Sequence, residues 1–298
     1  MIPRFALVRA RSLDEAFEAY AAADGDVAWI AGGTELLQVM KMGLASFATL
    51  IDLKPIAELH GLDTGPQGEL RIGAATTHRE VERSSLVAER VPALTALEGH
   101  VANVRVRNQG TLGGNLSFAE PHSDPATFLL ACDASVELAG PGGRRRLPVD
   151  AFVVGPLTTD RAPDEVLVRV DVPSASGTTG RGYAKIAFFE RPAVSVGVQV
   201  SIAGGAVSEA RVAVGSLVDA PALVPQAAQA LVGIPAAAAD APELKAELAA
   251  AAGRAMDAFA SLDIIEDLSG SADYKRHLAG VLLQRATRQA LADGVARG

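Results

Sequence analysis

Val27-Ala28-Trp29-Ile30-Ala31-Gly32-Gly33-Thr34-Glu35-Leu36 passes from a short apolar run, through two glycines, into a segment with helical spacing at Leu36, Leu37 and Met40. Val27 to Ala31 therefore reads as a buried strand and Glu35 to Met42 as a helix, a strand, glycine turn and helix unit. Upstream, Ser12 followed by Glu15 fits a capping box, so a first helix is expected to run to about Ala22 and to end at Asp24-Gly25-Asp26. Downstream, Thr49 to Leu53 reads as a second strand closed by Lys54-Pro55. Glu69 to Ala74 reads as a third, followed by a helix capped at Thr77 with Glu80 three residues on. The pattern is α/β.

Val101 to Asp124 lacks periodicity and holds Gly110, Gly113, Gly114, Asn108, Asn115 and Pro121, which predicts a long loop crossing the molecule. Asp124-Pro125 then starts a helix, with Asp as N-cap, and Phe128 to Cys132 gives its apolar face. Strands are expected near Ala134 to Leu138 and Val166 to Val172. Pro173 to Gly180 is rich in small, polar and breaking residues and is expected to divide the chain into domains at 1–173 and 181–294. Beyond it, Val194, Val196, Val198, Val200 and Ile202 alternate with small or polar residues, the period of a half-buried strand. Gly204-Gly205 predicts a hairpin into Val207 to Leu217. Helices are expected over Ala220 to Val232, Glu243 to Phe259 and Asp273 to Ala292, and the Ala-rich run near Ala236 reads as loop and helix.

With 298 residues the chain has room for two compact units, which excludes a peptide-sized binding module. It carries 27 Lys and Arg against 35 Asp and Glu, a net charge of −8, which argues against a nucleic-acid platform with a basic face. Hydrophobic residues at 49% and charged ones at 21% mark a globular rather than a disordered chain. One cysteine, Cys132, closes no intramolecular disulfide and cannot supply the thiolates of an iron–sulfur cluster, so any such cluster belongs on another chain. Met1 to Glu15 carries Arg4, Arg9, Arg11 and Asp14 without a signal-type apolar run. No stretch reaches the roughly 18 apolar residues of a membrane span, so the expected location is the cytoplasm.

Between strand and helix, the amides of Ala31-Gly32-Gly33-Thr34-Glu35 favour an anion such as a pyrophosphate, and glycine permits its close approach. The motif is neither a Gly-x-Gly-x-x-Gly fingerprint nor a Walker A loop, and alone it reads better as a plain tight turn. Gly110-Thr111-Leu112-Gly113-Gly114-Asn115 offers a hydroxyl and an amide to phosphate or ribose, or else a structural crossing. Two glycine loops about eighty residues apart suggest a long cofactor held at both ends of its diphosphate. Glu120, His122 and Asp124 form too thin a ligand set for a metal and read as loop bonding, with Asp124 also suited to accept from a ribose or amide. His60, His78, His100 and His277 are expected as surface or cap residues, Cys132 as a buried inert thiol, and Arg144-Arg145-Arg146 as a solvated hairpin edge. No Gly-x-Ser-x-Gly elbow and no Cys/His pairing appears, so any chemistry belongs to a cofactor that the protein orients and no catalytic side chain is assigned.

With these residues in place, the sequence resembles the FAD-binding medium subunit of molybdenum hydroxylases, the family of carbon monoxide dehydrogenase and xanthine dehydrogenase. The resemblance spans nearly the whole chain. It rests on Ala31 to Leu36, Ile72-Gly73-Ala74 with Thr76-Thr77, Arg107-Asn108-Gln109 running into Gly110 to Asn115, Asp124-Pro125-Ala126, and Gly270 to Arg276 with Leu278-Ala279 and Val281-Leu282. It implies an α/β (α+β) fold: a two-lobed FAD-binding domain of the vanillyl-alcohol-oxidase type, with lobes of about 1–53 and 54–173, then a C-terminal α/β domain. By position it implies FAD contacts from Ala31, Gly32, Gly33, Thr34, Glu35, Thr76, Thr111, Leu112, Gly113, Gly114 and Asn115. Asp124 would serve the ribityl or ribose region, Lys185 would lie near the flavin, and Val101 and Leu167 would line the pocket. The implied partners are a large molybdopterin subunit and a small subunit with [2Fe-2S] clusters, as a dimer of heterotrimers, with electrons leaving FAD for NAD, quinone or dioxygen. The stretch Phe189 to Val194 departs from relatives, which place an Arg and an Asp-led segment there. The alternatives are a self-contained flavoprotein oxidoreductase and a non-catalytic assembly subunit with a decayed flavin site.

Overall fold

A computed structural model describes residues 2–175, 177–188, 191–236 and 241–298. The chain begins with β1 (Ala6–Arg9), α1 (Leu13–Ala22), β2 (Val27–Ile30), α2 (Leu36–Lys41) and β3 (Thr49–Asp52). The three strands form a parallel sheet in the order β1-β3-β2. Strand β1 is apolar in sequence at Ala6, Leu7 and Val8 yet exposed along its length, and it pairs with β3. Ser12 caps α1 by accepting the Glu15 amide at 3.1 Å, while the Glu15 carboxylate takes the amide of Arg11.

Next come β4 (Leu62–Thr64), β5 (Leu70–Gly73), α3 (His78–Arg83), α4 (Ser85–Arg90), α5 (Pro92–Glu98), α6 (Val104–Gln109), α7 (Leu112–Phe118) and α8 (Asp124–Ala131). They are followed by β6 (Ser135–Gly140), β7 (Gly143–Pro148), α9 (Val149–Phe152), β8 (Val153–Gly155), β9 (Thr158–Thr159) and β10 (Val166–Val172). Five of these strands make an antiparallel sheet, β4-β5-β10-β6-β7. The expected loop from Val101 to Asp124 is in fact two short helices. Asn103 caps α6 and Thr111 caps α7 through side-chain oxygens, so local capping replaces the apolar periodicity that six- and seven-residue helices are too short to show. Ser123, not Asp124, caps α8, accepting the Ala126 amide at 3.1 Å and leaving the Asp124 carboxylate free. Arg144, Arg145 and Arg146 lie on the edge strand β7, each paired with at least one carboxylate, a charged edge that resists pairing with another chain.

The last unit contains β11 (Thr179–Ala187), β12 (Pro192–Ala203), β13 (Ala206–Gly215), β14 (Ala222–Leu223), α10 (Pro225–Gln229), α11 (Pro242–Ala260) and α12 (Ala272–Arg297). The strands pair in chain order as an antiparallel sheet. Gly204 and Gly205, both at positive φ, turn β12 into β13 as expected. The predicted helix from Ala220 shrinks to α10 because Ala222 and Leu223 pair with β13. The half-buried reading of β12 also fails. Its valines join the core that α12 closes, while Ser195 and Gly197 are buried on the other face, where a methyl on Gly197 would meet Ala131 of α8 at 3.0 Å. Ser176 of the expected linker, Phe189-Glu190 of the departure and Ala237–Asp240 of the Ala-rich run lie outside the described residues.

Two close approaches fix α12 on β11. A methyl added to Gly180 would lie 1.9 Å from the Ala290 carbonyl oxygen, and one on Gly182 would lie 2.0 Å from that of Ala286. Strand and helix therefore meet backbone to backbone, which only glycine allows. Three apolar clusters result among the described residues. The first unit's cluster is completed by Val166 and Val168 of β10. The second unit's gathers around Phe128 and Phe152, and the third lies between the last sheet and α11 and α12.

Candidate functional site

The two glycine loops, far apart in sequence, touch. A methyl on Gly32 would sit 2.5 Å from the Gln109 carbonyl oxygen and 2.6 Å from Gly110 Cα, and one on Gly113 would sit 2.5 Å from Ala74 Cβ. They border a cavity of about 410 Å³ between the parallel sheet and the α3–α7 layer. Ala31, Gly32, Gly33, Thr34 and Glu35 line it from one side; Gly113, Gly114, Asn115 and Thr111 line it from the other, with Val101 and Leu167 between. Tyr20, Trp29 and Phe47 add aromatic wall, the first two stacked at 4.8 Å.

The two loops differ in what their backbones offer. Leu112 N–H donates to the Thr76 carbonyl, Gly113 N–H to that of Ala74, and Gly114 N–H to Thr111 Oγ1, so the second loop is bonded to the protein itself. Among the described residues, the amides of Gly32, Gly33, Thr34 and Glu35 donate to no protein group. Gly33, at φ +70°, bends this run of free donors, and successive free amides in a turn make a concavity that suits an anion. A phosphate-bearing cofactor fits this donor set. Leu112 is buried, and Thr76 is clamped to Gly61 by its hydroxyl at 3.1 Å; neither lines the cavity.

Asp124 and Lys185 do not line it either. Tyr183 and Lys185, two apart on β11, project to the face that carries α8, and there Asp124 accepts from both: from the Tyr183 hydroxyl and, at 2.6 Å, from Lys185 Nζ. Lys185 also donates to the His100 carbonyl at 2.8 Å, next to Val101 of the cavity wall. Burial pushes the Asp124 carboxyl above its ordinary range, against the pull of Lys185, and pushes the Tyr183 hydroxyl well up. Burial likewise pushes the Cys132 thiol to about 11, which leaves it inert.

A second network runs along one edge. Arg191 joins Glu35 at 3.3 Å to Glu120 at 2.8 Å; Glu120 holds His122 at 2.8 Å; His122 faces Asp267 at 3.8 Å, which pairs with the buried Lys275 at 2.7 Å. Burial raises the Glu120 carboxyl, and His122 and Arg191 outweigh it, holding the group below the usual carboxylate range. No group of three or more His, Cys, Asp or Glu side chains converges to hold a metal among the described residues.

His78 departs from expectation. It is buried rather than on the surface, because α3 packs on α5 and places the ring against Glu98, with Nδ1 2.7 Å from Oε2. Neither partner carries a motif. The only sequence signal is the polar pair itself on otherwise apolar helix faces.

A protein-family model described as the FAD binding domain in molybdopterin dehydrogenase matches residues 3–175. The chain belongs to the FAD-binding subunits of the molybdenum hydroxylases. A second model, the CO dehydrogenase flavoprotein C-terminal domain, matches residues 190–290 of this flavoprotein subunit. It is 35% identical to the nicotine 6-hydroxylase medium subunit of Paenarthrobacter nicotinovorans, over 90% of both chains. It is 32% identical to the carbon monoxide dehydrogenase medium chain of Hydrogenophaga pseudoflava, over 97% of this chain and 98% of that one. The solved structure of carbon monoxide dehydrogenase from H. pseudoflava superposes with a TM-score of 0.89, covering 98% of this chain and 99% of that one. Quinoline 2-oxidoreductase from Pseudomonas putida 86 superposes equally, at 0.89 and 29% identity, covering 99% of each chain. The expected fold class and cofactor are thereby met.

Proposed function

We propose that this subunit is the electron-transfer flavoprotein of a molybdenum hydroxylase complex, working with a large molybdopterin subunit and a small iron–sulfur subunit in the cytoplasm. FAD held in this cavity would supply the redox chemistry between [2Fe-2S] clusters of a partner chain and NAD, quinone or dioxygen. The observation that carries the reading is the run of free amides from Gly32 to Glu35, facing a cavity that the second glycine loop closes.

In this reading the Gly32 to Glu35 amides hold the diphosphate, and Ala31 and Thr34 flank it. The backbone-bonded turn of Thr111 to Asn115 acts as a fixed wall, with Leu112 and Thr76 holding that turn from behind. Val101 and Leu167 give the apolar lining. The buried Asp124–Lys185 pair, linked to His100, fixes the wall at Val101. The units at 1–173 and 181–294 correspond to a flavin domain and a domain that closes on it through β11 and β12.

The test is to isolate the native complex, extract and identify its flavin, and record its spectrum. Stoichiometric FAD with iron–sulfur absorbance and two partner chains is expected. A yellow chain without partners would refute the subunit reading in favour of an independent flavoenzyme, and a colourless complex would refute the flavin role. Gly33→Val strains a position at positive φ and presses the new side chain on Ile30 and Leu37, which shifts the turn that carries the free amides, so this variant is expected to fold and to retain less than a tenth of the flavin.

A further inference from the structure

His78 walls the cavity, and its ring rests on a carboxylate that is 0% exposed. Because a carboxylate only accepts, Nδ1 of His78 is the donor to Glu98, which leaves Nε2 free; among the described residues no protein group bonds it. Cδ2, the ring atom bonded to Nε2, lies 3.2 Å from where a methyl on Gly110 would be, and Thr34 Oγ1 lies 3.3 Å from the same point. A methyl on Gly32 would meet Gly110 Cα at 2.6 Å. The free ring edge, the Thr34 hydroxyl and the unpaired amides therefore converge on Gly110.

Charge points the same way. Among the described residues Glu98 Oε1 is buried without a hydrogen-bond partner, and the Glu98 carboxylate acts on Asp124. Lys185 pairs with Asp124 at 2.6 Å, while Glu98 meets the His78 ring at 2.7 Å, so a proton on His78 would give Glu98 a counter-charge of its own. The other titratable groups on the elements around the ring are Arg79, Glu80, Glu82 and Arg83 of α3, Glu89 and Arg90 of α4, and Arg105 and Arg107 of α6. Of these, Arg79 and Arg107 are engaged with Glu82, and Glu80 caps its own helix.

We infer that the His78–Glu98 dyad is a proton-coupled anchor for the diphosphate of the cofactor: the ring takes a proton from solvent onto Nε2 as the anion binds and, as the imidazolium, donates a hydrogen bond from it to a phosphate oxygen. The inference rests on the reading that this cavity holds FAD. An anion beside the ring favours its charged form, and the buried carboxylate behind it holds the ring in place and stabilises that charge.

The full chain, freed of flavin, is titrated with FAD by calorimetry at several pH values around neutrality, in two buffers of different ionisation enthalpy. The expected result is uptake of up to one proton per FAD, with Kd rising by up to about tenfold per pH unit over the window. In His78→Gln both the uptake and the slope are expected to vanish. In Glu98→Gln the window is expected to move to lower pH. Proton uptake is read on the unmodified chain, so the test does not depend on either variant folding. Binding without uptake, or equal uptake in a folded His78→Gln chain, overturns the dyad and leaves the flavin reading standing. Failure of the unmodified chain to bind FAD at any pH overturns both.

Discussion

Asp124 joins α8 to β11 with one side chain, since it accepts from Tyr183 and Lys185 at once. Asp124→Ala would strand the lysine and the phenol inside the protein. Breaking a buried pair on one side costs about 3 kcal/mol, and denaturant unfolding is expected to show that loss. The pH dependence has a definite sign. Burial raises this carboxyl in the folded state, with Lys185 and Tyr183 opposing. Its contribution to stability is therefore full below the unfolded value of about 3.9 and declines as pH rises through the raised one. Unfolding followed from about pH 4 upward is expected to show the stability advantage of wild type over Asp124→Asn shrinking; a widening gap would refute the assignment. The sequence marked Asp124 as a hydrogen-bond acceptor, but its partners were not legible. They depend on Ser123 taking over the helix cap and on the register that turns Tyr183 and Lys185 to the same face.

At the scale of elements, the contact of α12 with β11 is constrained backbone against backbone at two glycines. Gly182→Ala would drive a methyl into the Ala286 carbonyl, and neither backbone can yield without moving its whole element. Overpacking of this kind costs about 3 kcal/mol, so a clear fall in Tm is expected. Gly142→Ala, with nothing within 4 Å of the added methyl, serves as the control and is expected to leave Tm unchanged. Elements that rest on local chemistry could be read from the chain. The capping box at Thr77, the hairpin at Gly204-Gly205 and the strand before Gly32 are examples, because caps, turns and apolar runs act within a few residues. Strand β1 went unread although Phe5 to Val8 is apolar, because so short a run shows no period and only its pairing with β3 fixes it as a strand; α6 and α7 could not be read, since one turn or two leaves too little room for a period. Both glycine motifs were legible, but not that the second opens α7, nor the division of labour between one with free amides and one already bonded.

For the molecule as a whole, the cavity draws its walls from the parallel sheet and from the antiparallel unit, so a ligand there ties the two together. FAD at a hundredfold excess over its Kd is expected to add about 2.7 kcal/mol, and calorimetric melting is expected to move up by several degrees relative to the stripped chain. An unchanged melting curve at saturating FAD would mean that the ligand does not bind the folded state. The three-core arrangement also sets a timetable for a chain made from its N-terminus. The first unit leaves the ribosome early with its strands and helices complete. Its interior nevertheless includes Val166 and Val168, supplied by a strand more than a hundred residues later. At roughly 5 to 20 residues per second, the nascent parallel sheet waits on the order of ten seconds with Leu13, Ile51 and Ile56 unsealed. That interval, rather than anything in the finished protein, is when the chain is most exposed to chaperone capture and to misassembly with its neighbours on the same message.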